Sequence, residues 1–268
     1  MRDRELPHNA QEITVDWLNR VLRSESSGIV LDGDVTSFSV ESLGAGKGFM
    51  NQVVRIRLYT SEESLSPHFS MVAKFPSQNP EIQALNKRAG EDHRENLFYR
   101  EIASVTDMHT PDLYFAASDE ITGNSVLIIE DLADARLGDS VKGCSMDDMA
   151  LAIGSIADIH SIWWNKLGGA QYNWVPTKSL DAEFYEQEYN QAWDLLRVKA
   201  EGAMPDRLWK LGKILGQHVS TIRGHLSSVP TTLVHGDYRP DNCFFGNLQD
   251  NRPLVVFDWE YCTKGRGV

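Results

Sequence analysis

The stretch VHGDYRPDN, Val234–Asn242, decides how this chain is read. It sets Asp237 after a His-Gly pair and Asn242 five residues later, between two apolar runs. A second acid, Asp258, follows in PLVVFDWE, Pro253–Glu260, after the turn LQDN. An Asp can orient a hydroxyl and accept its proton. An Asn carbonyl and an Asp carboxylate are hard oxygen donors suited to Mg²⁺. The turn between CFFGN and PLVVF brings positions 242 and 258 to one end of a hairpin, so the three residues read as a metal-assisted transfer site. The plain alternative is a polar turn, since Pro, Asp and Asn all favour turns. Turn chemistry gives no reason for an Asp inside VVFDWE, and the catalytic reading is preferred.

Upstream, VTSFSVESL and QVVRIRLYT alternate and are rich in β-branched residues, which predicts strands. Between them lies a glycine-rich turn: Gly44, Ala45, Gly46, Lys47, Gly48 and Phe49. Glycines let backbone amides approach an anion closely. Lys47 is followed by glycine, not Ser or Thr, which excludes a Walker A loop. A flexible hairpin turn remains an equal reading of these residues alone. A third strand, FSMVAKF, carries Lys74 near its end. A helix predicted over 91–105 sets Glu95, Phe98, Tyr99 and Ile102 on one face. A buried lysine needs a partner, and Glu95 is the natural one.

Two further strands end at IEDL, Ile129–Leu132, after which the pattern turns helical. Helices are expected over 15–23 with Thr14 as cap, over 145–164, over 181–199 and over 205–226. Ser145 and Asp148 form a capping box for the second of these. Its expected inner stripe is Met149, Ile153, Ile156, His160 and Trp163. The fold class is α+β: a β-rich lobe over residues 1–130 and a mainly helical lobe over 131–268.

The formal net charge of -12 and the lack of a basic stretch argue against nucleic acid. Apolar content is 41% and no long apolar run occurs, so no membrane span is expected. Cys144, Cys243 and Cys262 show neither zinc spacing nor a disulfide framework, which suggests a reducing, cytoplasmic setting.

The order of glycine-rich loop, strand Lys, helix Glu, IEDL, HGDxxxxN and FDWE resembles the protein-kinase-like fold. His-Gly-Asp and Asp-Trp-Glu are similar to the aminoglycoside phosphotransferase and choline kinase superfamily. GAGKGFMNQVVRIRL and RENLFYRE further resemble its ecdysteroid-kinase-like branch. The resemblance covers about residues 41–268 and implies an ATP-dependent kinase acting on a hydroxyl of a small molecule. Asp237 would be the catalytic base, and Asn242 and Asp258 would hold Mg²⁺. Lys74, held by Glu95, would touch the α- and β-phosphates, with residues 44–49 covering them. Glu130, Asp131 and Leu132 would present backbone groups to adenine. Arg239 either reaches the transferring phosphoryl group or is a solvated turn residue. His235 and His160 read as structural, and Trp163, Trp164, Trp193 and Trp209 as core before cage. A nucleotide-binding regulatory protein without transfer activity is the alternative. A protein kinase is disfavoured by the lack of an Ala-Pro-Glu motif. The chain ends ten residues after Asp258, where superfamily members usually add several helices. A C-terminally short fold with exposed apolar surface is therefore expected.

Overall fold

Helix α1, Val15–Leu22, starts where Thr14 accepts a hydrogen bond from the Trp17 amide, as a capping residue should. Its stripe of Trp17, Leu18, Val21 and Leu22 is buried. Each such side chain contributes on the order of 1.5–3 kcal/mol. The computed structural model describes residues 6–23, 31, 33–43, 51–60, 69–89, 91–106, 108–119, 122–180, 182–247 and 252–267.

Five strands form an antiparallel sheet in the order β1-β2-β3-β5-β4. They are β1 (Ser37–Ser42), β2 (Asn51–Tyr59), β3 (Phe69–Pro76), β4 (Leu113–Asp119) and β5 (Asn124–Glu130). Strand alternation decides the fate of Lys74. Met71, Ala73 and Phe75 of β3 join the core cluster that contains α1, with Val54, Ile56, Leu58, Val126 and Ile128. Lys74 therefore points to the opposite face, opposite Val53 on β2 and Leu127 on β5.

Helices α2 (Pro80–Ala89) and α3 (Glu91–Glu101) follow β3. The expected face of α3 is the buried one: Glu95, Phe98, Tyr99 and Ile102 all have 3% exposure or less. Helix α2 is an addition to the sequence reading. Its signal was the Asn79-Pro80 pair: Asn79 caps the Glu81 amide, and Pro occupies the first helical position, where its missing N–H costs nothing.

Strand β6 (Arg136–Leu137) pairs with β8 (Cys243–Asn247), which pairs with β9 (Arg252–Val256); between β6 and β8 in the chain lies β7 (Thr232–Val234). The chain divides into two compact units. One is Met1–Ser155 with Asp237–Tyr261, and the other is Ile156–Gly236 with Cys262–Val268.

Helix α4, Met146–Ile162, opens with the expected box: Ser145 Oγ accepts from the Asp148 amide, and Asp148 accepts from the Ser145 amide. Its inner face differs from the expected one. Ile159 is buried, while Met149 and Ile153 are exposed. The second unit holds α5 (Ala182–Lys199), α6 (Asp206–Gly216) and α7 (Val219–Leu226). The single helix expected over 205–226 is broken because the Gly216 carbonyl accepts from Asn190 Nδ2 at 3.1 Å. A Cβ at Gly216 would overlap the Asn190 side-chain oxygen, so this close approach needs glycine. Strand β7 pairs with β10 (Thr263–Gly265) in this unit. Apolar side chains are exposed on these helices, among them Leu195, Val198, Leu211 and Ile214. Trp163 is buried against Tyr172, and Trp193 stacks on Tyr189 with Trp209 at its edge, while Trp164 is exposed. His235 is fully buried.

Candidate functional site

The β3 lysine is the centre of the site. Lys74 Nζ lies 2.7 Å from Glu95, 2.8 Å from Asp258 and 2.7 Å from Glu260. Three parts of the first unit supply these acids: α3, the second residue past β9, and the single helical turn Trp259–Tyr261. The Lys74–Glu95 pair expected from the sequence is formed, and Asp258 joins it.

Glu260 was missed. It is 4% exposed, and its Oε2 also accepts from Asn51 Nδ2 at 3.0 Å. Asn51 is the first residue of β2, so Glu260 ties that strand's start to Lys74. The Glu260 carbonyl accepts from Arg94 at 2.9 Å. Glu260 turns inward two residues past Asp258, whose φ of 64° is in the left-handed region. A non-glycine residue there costs about 1–3 kcal/mol and is characteristic of sites where geometry serves function. Packing holds this bend. Trp259 is fully buried and stacks on Phe98 at 4.1 Å and 3°, and its amide donates to Glu95 at 3.3 Å.

The electrostatics follow from burial. Burial would lower the Lys74 pKa, but the carboxylates, Asp258 and then Glu95 and Glu260, hold it well above its ordinary value. Burial pushes the Glu95 carboxyl up to about 7, against the downward pull of Lys74. One ammonium thus faces three carboxyl groups. The acid oxygens of Glu95, Asp258 and Glu260 come within 4.8 Å of one another. Carboxylate oxygens of this kind are the hard donors that Mg²⁺ takes.

The second cluster is the turn itself. Asn242 Nδ2 donates to the Asp237 carbonyl at 2.8 Å and to Asp237 Oδ2 at 3.1 Å. Arg239 Nε meets the same oxygen at 3.0 Å. Asn242 and Asp258 are held at one end of the β8–β9 hairpin, as the spacing predicted. Cys243 is opposite Val256, and the Phe257 amide donates to the Asn242 carbonyl at 3.1 Å. The hairpin therefore links the turn to the Lys74 cluster through adjacent backbone positions.

The expected adenine-facing segment is firmly tied down. Glu130 makes a two-pronged pair with Arg252 at 2.5 and 2.8 Å. Asp131 accepts two bonds from Arg55, at 2.6 and 3.1 Å, and one from Ser70. Leu132 is buried. The Glu130 amide donates to the Asp112 carbonyl at 2.9 Å, and the Leu132 carbonyl accepts from the Ala135 amide at 3.0 Å. Gly44, Ala45, Gly46, Lys47, Gly48 and Phe49 lie outside the described residues.

A family model described as the phosphotransferase enzyme family matches residues 107–266, more than half of the chain. No curated protein matches it. Among solved structures, the chain is similar to the GDP complex of wild-type aminoglycoside 2'-phosphotransferase-IIIa. The two are 17% identical, over 88% of this chain and 70% of that one, with a TM-score of 0.51. It is also similar to the GDP and kanamycin complex of a related aminoglycoside phosphotransferase. There the identity is again 17%, over 87% of this chain and 69% of that one, with a TM-score of 0.53. At this identity the likeness establishes the fold, which is the α+β, protein-kinase-like class read from the sequence. Among the described residues, no helix is long and apolar enough to cross a membrane.

Proposed function

The chain belongs to the phosphotransferase enzyme family, and on that premise we propose that it moves the γ-phosphoryl group of ATP to a hydroxyl of a small molecule. The observation that carries this reading is the buried Lys74, paired at once with Glu95 and Asp258. A lysine fixed by a helix acid beside a metal-binding acid is what phosphate positioning requires.

Lys74 would hold the α- and β-phosphates, with Glu95 fixing its ammonium. The backbone of residues 44–49 would cover the phosphates, and that of Glu130, Asp131 and Leu132 would meet adenine. Asn242 and Asp258 would hold Mg²⁺, which neutralises charge on the phosphates when bound. Asp237 would accept the proton of the acceptor hydroxyl as its oxygen attacks phosphorus. The bond from that phosphorus to the β-phosphate oxygen breaks, and ADP leaves. Arg239 would offset charge on the transferring group. Such a site works by positioning and charge compensation, which suits so sparse a set of residues. Cys144, Cys243 and Cys262 are all free thiols, which supports a cytoplasmic setting.

The test is a transfer screen with γ-labelled ATP and Mg²⁺ against aminoglycosides, amino alcohols, sugars and steroid-like alcohols. The expected result is label on one of these small alcohols. Label appearing on a protein acceptor and on none of them would overturn the small-molecule assignment.

A further inference from the structure

A segment about a hundred residues before the HGD turn is built onto it. Strand β6 pairs Arg136 with Phe245 and Leu137 with Phe244, next to the turn. The Gly138 amide continues this ladder to the Cys243 carbonyl at 2.9 Å. Gly138 sits so close to the loop that a Cβ there would overlap the Pro240 carbonyl oxygen. Ser140 then reaches the turn. Its amide donates to Asp241 Oδ1 at 3.4 Å, and its hydroxyl donates to Asp241 Oδ2. The other end of the segment is anchored too, since Arg136 pairs with Asp148 at 2.8 Å.

Asp241 faces the arginine that contacts Asp237. Arg239 NH1 lies 3.8 Å from Asp241 Oδ2, while its Nε lies 3.0 Å from Asp237 Oδ2. The first distance is an ion-pair contact, longer than a hydrogen bond. The Arg239 side chain is half-exposed, and a long guanidinium side chain loses about 2 kcal/mol of rotamer freedom when fixed. Something must favour one placement, and Asp241 supplies an attraction from the outer side.

We propose that Asp241, seated by Ser140, is a positioning residue that holds Arg239 against the catalytic carboxylate of Asp237. The relay runs from Ser140 to Asp241, from Asp241 to Arg239, and from Arg239 to Asp237. It rests on the kinase reading for its consequence, since only there is Asp237 a base. It does not rest on that reading for its geometry.

The experiment separates the two. Arginine Nε–H signals are recorded by NMR on ¹⁵N-arginine-labelled full chain, and the Arg239 signal is assigned by its loss in Arg239→Lys. Its exchange with solvent should be slow in the unaltered protein. Ser140→Ala and Asp241→Asn should each speed it about three- to fivefold, the range that a partly exposed ion pair supports. Ser140→Thr, which keeps the hydroxyl, should restore it. In parallel, phosphate release from Mg-ATP with water as acceptor is followed. The same two variants should lower kcat by a similar factor and leave the KM for ATP unchanged. Ser140→Ala added to Arg239→Ala should cause no further loss, because the serine acts through the arginine. An Arg239 signal that exchanges equally fast with and without the Asp241 carboxylate overturns the proposal, whatever the turnover. A signal that responds as expected in a protein that binds no ATP supports the relay and removes the kinase reading instead.

Discussion

Asp237→Asn leaves Mg-ATP binding unchanged and lowers phosphoryl transfer by about 10²–10⁴-fold, the range for removal of a general base. The substitution keeps the side chain's size. An amide oxygen can still accept from Asn242 Nδ2 and Arg239 Nε, which both meet Oδ2 of the natural residue at about hydrogen-bond distance. The turn should therefore keep its shape. What disappears is the carboxylate that takes the hydroxyl proton. Calorimetric titration of ATP beside single-turnover transfer separates the two effects. Equal losses of binding and of turnover would assign Asp237 a structural role. Full turnover in the variant would remove it from the chemistry.

Lys74→Met removes the cation that faces three carboxyl groups, and it should destabilise the fold by about 3–5 kcal/mol, as breaking a buried ion pair does. Glu95 and Glu260 are both under 5% exposed, so losing the ammonium leaves two largely buried carboxyl groups without their cation. Nucleotide affinity should fall with it. The pH dependence has a definite sign. Burial raises the Glu95 carboxyl to about 7, so this group favours the folded state below its unfolded value of 4.5, and that contribution is lost as pH rises through 7. Without Lys74 to pull it down, Glu95 stays protonated to still higher pH. The variant's stability deficit should therefore widen between pH 6 and pH 8, read as a growing gap in Tm. A constant gap across that window would mean that Lys74 and Glu95 are not coupled.

Local rules made part of this legible before any coordinates. Glu95, Phe98, Tyr99 and Ile102 form one face at helical spacing, and the helix buries that face. Lys74 lies one position from Ala73 and Phe75, so strand alternation had to send it to the other side of the sheet. Asn242 and Asp258 flank a short hairpin, and hairpin register fixes their meeting within a few residues. The misses are of a different kind. Glu260 turns inward two residues past Asp258, whose φ is left-handed, and nothing in the letters FDWE announces that bend. Ser140 and Gly138 meet the turn across a sequence gap of about a hundred residues, where no periodicity operates. The inner face of α4 was misjudged because Met149 and Ile153 are apolar at helical spacing yet exposed. Burial there depends on what packs against the helix, which spacing along one helix does not encode. The break between α6 and α7 depends on Asn190 reaching the Gly216 carbonyl, again a contact between distant residues.

The central claim is that Lys74, Glu95 and Asp258 form a working nucleotide and metal site. Its most direct test is titration of ATP into the chain by calorimetry, with and without Mg²⁺, beside Asp258→Ala. Binding that depends on Mg²⁺ and is lost in the variant is the predicted result. A folded wild-type chain that binds no ATP, or a variant that binds Mg-ATP as tightly as the wild type, would contradict it.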